Sequence, residues 1–322
     1  MPTRSRFVFT FLALVFFLGL NQSVSAIQKS DGSVVETLAY AFPGYEQAAQ
    51  TTNVKANTSK EEYLAAINDG NFEFSKLKYL SDGFKVTAYV YKPARLNDKK
   101  LPAIIFNRGG LVRNDIAPEL IVLFHTLAKQ GFVVVAPLYR QSDGSEGRDE
   151  MGGGDVNDLM NVVPLAKSLG FIDVNNLFLF GESRGGVMVY LVLKRNFPAR
   201  AAAVYGALTD LEALLKERPD IYTPKLLNQL WTEFDKRKDE IIKSRSAIYW
   251  PETLNVPLLI MQGGADKSVS PAQSLAIAQK LQNLGKTYEL IIYAGDDHTL
   301  SHNRDDRDRT AISWFKKYLA TF

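Results

Sequence analysis

The sequence predicts an α/β fold in which a mainly parallel sheet carries helices on both faces. Continuous apolar runs, such as residues 101–106 and 132–136, alternate with segments of helical periodicity, which is the pattern of parallel strands joined by crossover helices. The runs lack polar alternation, as expected of strands buried on both faces. One further run, residues 177–180, leads directly into a glycine-rich turn and a helical pattern.

The first 26 residues are predicted to be a signal peptide. Arg4 and Arg6 precede an uncharged run at residues 7–20, and Val24-Ser25-Ala26 has the small residues of a cleavage site. The run is shorter than the ~20 residues that a membrane-spanning helix needs, although a retained anchor is the alternative interpretation. We therefore expect residues 27–322 to be exported, periplasmic or secreted, with no membrane attachment after cleavage.

Composition narrows the range of functions. Hydrophobic residues make up 46% of the chain, enough for a sizeable core. The absence of cysteine excludes disulfides, a cysteine nucleophile and a thiolate metal site. With 38 basic and 35 acidic residues the net charge is +3, which gives no reason to expect nucleic acid as a partner.

Residues 27–71 are predicted to be a leader segment that packs on the surface or is partly mobile, because their composition is polar and mixed. Within this segment, Ser59 and Glu62 have the spacing of a capping box at the start of a short helix that Gly70 ends. The main domain is predicted to occupy residues 72–322.

The main domain is predicted to begin with an antiparallel hairpin, because residues 72–80 and 84–92 alternate apolar and polar side chains around Ser81-Asp82-Gly83. Residues 208–250 have a charged helical pattern, which predicts a small helical cap insertion over the carboxyl edge of the sheet. Elsewhere we predict strands at 101–106, 132–136, 177–180, 201–205, 256–261 and 287–293, and helices at 116–129, 155–169, 187–194, 271–284 and 309–319.

The segment Gly181-Glu182-Ser183-Arg184-Gly185 has the Gly-x-Ser-x-Gly pattern of a nucleophile elbow. Such a turn between a strand and a helix holds the serine Oγ out of the sheet, and its glycines leave room where side chains would collide. The backbone N–H of Arg184, at the start of the helix, would face the oxygen that becomes negative in acyl transfer. The pattern alone also fits an ordinary strand-to-helix turn, so the rest of the chain has to supply the partners.

A serine hydroxyl needs a base, and the chain has three histidines. His298 is favoured because it lies in the loop that leaves the last predicted strand, and that loop returns to the carboxyl edge where Ser183 lies. His302 is the alternative, with an exposed or supporting role as its other interpretation. His125 falls within a predicted helix and is interpreted as a packing or capping residue.

Asp266 is the candidate acid that would orient this base. It follows a buried strand and lies between the serine and the histidine in the sequence, which is the order of Ser, Asp and His in α/β-hydrolases. Asp296 and Asp297 are alternatives, but their backbone is tied to that of His298, which makes its far ring nitrogen hard to reach. Turn formation is the simpler interpretation of those two residues.

A second oxyanion donor is expected in the loop after the first buried parallel strand. Arg108, Gly109 and Gly110 lie there, and paired glycines allow backbone N–H groups to approach a substrate carbonyl. With Arg184, the predicted oxyanion residues are therefore Arg108 and Gly109.

Several motifs in this order resemble the catalytic α/β-hydrolase domain of the prolyl oligopeptidase family of serine peptidases, and the related dienelactone-hydrolase-like enzymes. The resemblance covers residues 72–322 and implies Ser183, Asp266 and His298 as the catalytic triad. The matching segments are Tyr79-Leu80-Ser81-Asp82-Gly83-Phe84-Lys85-Val86, Tyr139-Arg140, Gly152-Gly153-Gly154-Asp155-Val156-Asn157-Asp158, Gly181-Glu182-Ser183-Arg184-Gly185-Gly186, Gly263-Gly264-Ala265-Asp266-Lys267-Ser268-Val269 and Gly295-Asp296-Asp297-His298.

The chain also departs from that family. Full-length members carry a large β-propeller that gates the active site, and the residues before 72 are too few to build one. Members often have Tyr or His before the paired glycines, where this chain has Arg108, so we hypothesise that its guanidinium or a neighbouring N–H binds the oxyanion. The family's Tyr-Arg-Gly-Ser is Tyr139-Arg140-Gln141-Ser142 here, which predicts a different loop shape.

Arginines gather at the predicted catalytic edge. Arg108, Arg140 and Arg184 all follow strands, and such a cluster would suit a substrate carboxylate. The alternative is that they hold loops together by binding Asp155, Glu182 or backbone carbonyls, as structural ion-pair networks near active sites often do. Arg108, Tyr139 and Arg140 are the candidate substrate-binding residues.

The sequence thus predicts an exported serine hydrolase with no cofactor and no metal, a peptidase that cleaves small peptides through an acyl-enzyme. A carboxylesterase or dienelactone-hydrolase-like enzyme acting on small esters is the alternative, because both reactions use the same triad. A non-catalytic binding protein with this fold is a more remote alternative.

Overall fold

A computed structural model of the chain describes Met1 and residues 30–320. The predicted signal peptide, residues 1–26, lies outside the described residues apart from Met1. Among the described residues, no helix combines the length and the apolar composition needed to cross a bilayer.

A nine-stranded sheet forms the centre of the fold, with the order β1-β2-β3-β5-β4-β6-β7-β8-β9. The strands from β5 to β9 in this order are parallel, whereas β1, β2 and β3 pair antiparallel and β3 joins β5 antiparallel. The strands are β1 (Val34–Leu38), β2 (Phe72–Ser81), β3 (Phe84–Pro93), β4 (Leu101–Asn107), β5 (Val133–Pro137), β6 (Ile172–Glu182), β7 (Ala201–Tyr205), β8 (Leu258–Gly263) and β9 (Tyr288–Tyr293). This confirms the predicted α/β-hydrolase fold with its N-terminal hairpin.

Helices cover both faces of the sheet. Successive side chains of a strand point to opposite faces, so Ile105 and Leu179 pack in one apolar core while Ile104 and Phe178 pack in the other. The helices are α1 (Tyr45–Thr51), α2 (Val54–Asn57), α3 (Lys60–Asn68), α4 (Ala117–Ala128), α5 (Val156–Met160), α6 (Val162–Leu169), α7 (Arg184–Lys194), α8 (Leu211–Glu217), α9 (Pro224–Leu230), α10 (Phe234–Arg245), α11 (Pro271–Asn283) and α12 (Arg304–Lys317).

The single helix predicted over residues 155–169 is wrong, because two helices, α5 and α6, occupy that segment. Asn161 separates them, ending the first helix and preceding the second. Pro164 explains the break, since it has no backbone N–H to donate to the carbonyl of Met160 one turn earlier.

The leader segment contributes more than a surface covering. Its β1 pairs with β2 and adds an edge strand that the sequence analysis did not predict. The predicted helix is α3, and its Ser59–Glu62 capping box is present, with the Glu62 backbone N–H donating to Ser59 Oγ at 3.2 Å and the Ser59 N–H donating to Glu62 Oε2 at 2.9 Å. A domain boundary at residue 72 therefore divides strands that belong to one sheet.

The predicted cap insertion consists of α8, α9 and α10, between β7 and β8. It lies at the carboxyl edge of the sheet, where the loops after β4, β6, β8 and β9 also meet. In parallel sheets this edge is the place where ligands bind.

Candidate active site

Ser183 occupies a strained turn between β6 and α7. Its φ of 51° and ψ of −116° lie in a region that side-chain-bearing residues rarely adopt. The backbone can pack this tightly only because Gly185 has no side chain: a Cβ there would lie 1.9 Å from the carbonyl oxygen of Asn107. The strand, turn and helix of a nucleophile elbow are therefore all present.

A continuous hydrogen-bonded chain joins the three predicted triad residues. His298 Nε2 lies 2.9 Å from Ser183 Oγ, and His298 Nδ1 lies 2.7 Å from Asp266 Oδ2. The three side chains come from the turn after β6, the loop after β8 and the loop after β9. The contacts fit a serine hydroxyl, a base and an orienting acid in the order that acyl transfer requires.

The carboxylate of Asp266 is fully buried and bonded on both oxygens. Oδ1 accepts the backbone N–H groups of Ser268 at 2.7 Å and Val269 at 2.9 Å, and Oδ2 accepts Gln262 Nε2 at 2.8 Å. Burial raises the pKa of Asp266, but the hydrogen bonds from His298 and these backbone groups outweigh burial and hold that pKa below its usual value. Asp266 therefore stays ionised and can stabilise an imidazolium.

Asp296 and Asp297 shape the His298 loop and do not replace Asp266. Asp297 Oδ1 accepts the backbone N–H groups of Thr299 at 2.9 Å and Ser301 at 3.1 Å. Asp296 is buried, and burial raises its pKa, but the hydrogen bonds it accepts outweigh burial and lower that pKa to about 2. Its donors are the side chains of Asn303 and His302 and the backbone N–H groups of Asp297, His302 and Asn303.

The other two histidines lie away from the serine. The side chain of His302 is 75% exposed and is bonded to Asp296 at 2.9 Å, which gives it the supporting role. His125 Nε2 lies 3.0 Å from Asp69 Oδ2, where it ties α4 to the end of α3.

Two backbone N–H groups are placed to receive an oxyanion. The position that a Cβ on Gly109 would take lies 3.3 Å from Ser183 Cβ, so this backbone passes directly beside the nucleophile. The N–H groups of Gly109 and Arg184 have no acceptor among the described residues. A preorganised pair of free N–H donors is what an oxyanion hole needs.

The guanidinium of Arg108 is not available for that task, which corrects one form of the hypothesis. Its Nη1 donates to the carbonyl of Leu111 at 2.7 Å, and its Nη2 donates to the carbonyl of Leu138 at 2.9 Å and to Ser142 Oγ at 2.6 Å. Arg108 is therefore a buried clamp that holds the loop after β4 against the loop after β5.

The substrate-binding prediction for Tyr139 and Arg140 is also corrected. Arg140 is buried, and its Nε donates to Asp158 Oδ1 at 2.9 Å. Tyr139 is fully buried, with its hydroxyl donating to Asn107 Oδ1 at 3.1 Å. Neither side chain lines the cavity described below.

Arg184 forms a buried ion-pair network with Asp149 and Asp155, which we call the buried network. Its Nη1 and Nη2 each lie 2.6 Å from Asp149, and Nη2 lies 3.0 Å from Asp155 Oδ2. The arginines thus hold loops together, as the alternative interpretation stated. Both acids come from the glycine-rich loop after β5, which has no periodicity that could have shown where it folds.

A cavity of about 760 Å³ opens in front of Ser183. Its wall next to the triad, which we call the cavity floor, consists of Ser183, His298, Glu182 and Tyr205. Only the folded chain shows Glu182 and Tyr205 as site residues, although each is the last residue of its strand at the carboxyl edge.

The leader segment and the cap insertion form other walls of this cavity. Arg218, Ile221 and Tyr222 line it from the insertion, and Thr58 and Glu62 line it from the leader. On that side Glu62 makes an ion pair with Arg304 at the start of α12. The leader is therefore part of the site, a role that no sequence motif indicated.

Among the described residues, the acidic and histidine side chains close enough to share a metal ion are Asp296, Asp297 and His302. The carboxylates of this group already accept several hydrogen bonds within their own loop, which explains their proximity without an ion. The expectation that no cofactor or metal is needed stays a prediction.

Comparisons with known proteins agree with the geometry. A model of the prolyl oligopeptidase family matches residues 120–321. An uncharacterized peptidase of Bacillus subtilis, YtmA, is 27% identical over 241 residues, which are 74% of this chain and 91% of that relative. Dipeptidyl-peptidase 5 of Porphyromonas gingivalis is 22% identical over 76% of this chain, but only 37% of its own length is matched.

Solved structures show the same fold. A puromycin-hydrolyzing peptidase of Mycobacterium tuberculosis superposes with a TM-score of 0.65 and 21% identity over 75% of this chain and 38% of its own. The acylaminoacyl peptidase of Pyrococcus horikoshii superposes with a TM-score of 0.63 and 17% identity over 79% of this chain and 43% of its own. The chain thus spans less than half the length of these two structures.

Proposed function

Because the chain belongs to the prolyl oligopeptidase family of serine peptidases, which are hydrolases, we propose that it cleaves small peptides through an acyl-enzyme on Ser183. The observation that carries this proposal is the unbroken contact from Asp266 through His298 to Ser183 Oγ. The similarity to peptidases in sequence and in fold supports a peptide substrate.

In the proposed reaction, His298 Nε2 takes the proton of Ser183 as Oγ attacks the substrate carbonyl carbon. The N–H groups of Gly109 and Arg184 stabilise the oxyanion, and Asp266 stabilises the imidazolium. His298 then gives its proton to the leaving amine, so that the C–N bond breaks and the acyl-enzyme remains. Water attacks this ester with His298 again as the base, which releases the acid and restores Ser183.

The size of the cavity is evidence for a small substrate. Its walls come from the leader and the cap insertion as well as from the sheet edge, and its volume of about 760 Å³ lies in the range of sites that hold small ligands. Esters would use the same triad, and the test therefore includes both classes.

Labelling of the nucleophile tests the mechanism first. We expect a fluorophosphonate to modify the purified protein and to leave Ser183→Ala unmodified, because the reagent needs an activated serine. Circular dichroism and the unfolding midpoint of Ser183→Ala would show that the fold is intact. Equal labelling of the two proteins would contradict the proposal, as would a failure to label the wild type.

Turnover separates the two hydrolase classes. Short peptide amides and short acyl esters are compared by kcat/KM, with Ser183→Ala as the blank for each. A peptidase hydrolyses the amides measurably above that blank. Hydrolysis of esters alone would favour the carboxylesterase.

We also propose that the protein is exported, because a signal-like segment precedes residue 27. Expression in a bacterial host followed by cell fractionation and N-terminal sequencing tests this. The expected result is a periplasmic or secreted protein that begins at residue 27. A cytosolic protein that begins at residue 1 or 2 would contradict it.

A further inference from the structure

Glu182 lies beside the nucleophile and faces the cavity. The position that a Cβ on Gly109 would take is 3.3 Å from Glu182 Cδ and 3.3 Å from Ser183 Cβ, so the carboxyl group and the nucleophile flank the same small region. Glu182 is half-buried and lines the cavity. A substrate whose carbonyl reaches Ser183 therefore brings its neighbouring atoms next to this carboxyl group.

The other acids that line the cavity are neutralised by the protein itself. Each has an arginine partner, and the pairs are Glu62 with Arg304, Glu119 with Arg113, Asp305 with Arg304 and Asp308 with Arg307. Glu182 has no such partner among the residues that the structure describes. Arg307 lies close enough for the charge of Glu182 to raise its pKa. Its guanidinium is bonded elsewhere, however, because Nε donates to Asp308 at 2.7 Å and Nη1 donates to the carbonyl of Thr299 at 2.8 Å.

Tyr205 lies beside Glu182 on the cavity floor. It is buried, and burial together with the charge of Glu182 raises the pKa of Tyr205 well above its usual value. The hydroxyl therefore stays protonated and can donate a hydrogen bond to Glu182. A half-buried carboxylate with no cationic partner in the described part of the chain is a strong acceptor for a charged donor.

We propose that Glu182 is a specificity residue that binds a cationic group of the substrate, an ammonium or a guanidinium, adjacent to the scissile bond. This inference rests on the proposed hydrolase function and names the substrate class that the site prefers. The interaction raises kcat/KM for substrates with such a group, because a charged donor completes the environment of a carboxylate that the protein leaves without a cation.

Matched substrates test the preference on either side of the scissile bond. One pair differs at the acyl side, a free α-amine against its N-acetyl form, and the other differs at the leaving side, a lysine against a norleucine. Comparison of wild type with Glu182→Gln gives the effect of charge, because glutamine keeps the size of the side chain and an acceptor for Tyr205. We expect kcat/KM for the cationic member of at least one pair to fall about 10-fold to 100-fold, and that for the neutral member to change less than about 3-fold.

Two further variants serve as controls. Asp305→Asn also removes a negative charge from the cavity wall, but its carboxylate is already paired with Arg304 and its side chain is 84% exposed, so the ratio of cationic to neutral substrate should stay unchanged. Glu182→Asp keeps the charge and should retain part of the preference. An equal effect of Glu182→Gln on both members of both pairs would overturn the proposal.

Failure of the inference can be told apart from failure of the proposed function. Fluorophosphonate labelling of Ser183 and hydrolysis of an uncharged acyl ester report the nucleophile alone. If both persist in Glu182→Gln while the preference is absent from the wild type, only the role of Glu182 is wrong. If the wild type shows neither, the hydrolase proposal itself fails.

Discussion

Two polar regions lie on either side of Ser183. In one the charged side chains bind one another, and in the other they face the cavity. In the buried network, the side chains of Arg184, Asp149 and Asp155 are 3%, 6% and 0% exposed and satisfy one another. On the cavity floor, Glu182 and His298 face open space. The first region fixes the shape of the loops beside the nucleophile, whereas the second leaves its donors and acceptors available to a substrate.

The difference shows why charge near a reactive serine is an incomplete guide to substrate binding. Arg184 follows Ser183 in the sequence and Glu182 precedes it, so the two residues look equally close to the chemistry. Burial and partners decide between them. Variants in the buried network should therefore change stability, and variants near the cavity floor should change turnover.

The largest expected effect comes from Asp266, the buried acid that positions His298 of the cavity floor. Replacement of Asp266 by Asn should lower kcat by about 10⁴-fold, because the amide favours the wrong His298 tautomer. The measurement is kcat for a short acyl ester alongside the urea midpoint of unfolding. A fall in kcat of less than tenfold would contradict a role of Asp266 in turnover, and would leave it with a role in stability only.

The buried network should respond through stability. Arg184→Met leaves Asp149 and Asp155 buried without a cation, and we expect a loss of about 3–5 kcal/mol in the free energy of unfolding. Urea denaturation followed by circular dichroism measures this. Arg237→Met is the matched control, since that arginine pairs with Glu240 on the protein surface and its replacement should change the free energy of unfolding far less. Equal losses in the two variants would contradict the role of the buried network.

Lowering the pH should reduce the free energy of unfolding, because Asp296 stabilises the loop that carries His298 only while its carboxylate is ionised. The pKa of Asp296 is lowered from 3.8 to about 2 in the fold, so the stabilisation it gives is complete above pH 4 and is lost as the pH falls towards 2. The shift corresponds to about 2 kcal/mol. Unfolding free energies between pH 2 and pH 5 should show this dependence in wild type and a weaker one in Asp296→Asn. Identical pH profiles would assign the effect to other groups.

The smallest expected effect concerns Gly109, in the loop after β4, whose N–H group is one of the two proposed oxyanion donors. In Gly109→Ala the new Cβ would lie 3.3 Å from Ser183 Cβ, so the loop has to shift by a few tenths of an ångström. We expect kcat/KM to fall about tenfold, because a misplaced N–H group stabilises the oxyanion less. Gly44→Ala is the control, since a Cβ there meets nothing within 4 Å. Unchanged kinetics in both variants would show that the N–H of Gly109 does not contribute.

Much of the fold was predictable from the sequence because the central strands β5, β7 and β8 are buried on both faces. Runs such as residues 177–180 are apolar throughout, which is the pattern of a strand covered on both faces. The edge strand β1 was missed because its residues are half-buried or exposed, so it has no continuous apolar run. The break between α5 and α6 depends on Pro164, which removes one backbone hydrogen bond from a segment whose apolar periodicity continues across the break.

The triad candidates were identified because each lies directly after a strand, where topology brings distant residues together. Whether the arginines bind a substrate or hold loops together depends on which residues they contact. Asp149 lies in the irregular loop after β5, and only the folded chain shows that this loop returns to Arg184. Glu62 lies 242 positions before Arg304, and no pattern in either segment predicts that they meet.

The same pair has a consequence for the order in which the molecule is completed during synthesis. Glu62 leaves the ribosome long before Arg304 exists, because 242 positions separate them. A nascent chain that has already formed the nucleophile elbow still lacks the C-terminal helix against which the leader closes. The wall that joins the leader to α12 can therefore form only after Arg304 has been made, and chains that stop before this residue would lack the Glu62–Arg304 ion pair beside the cavity.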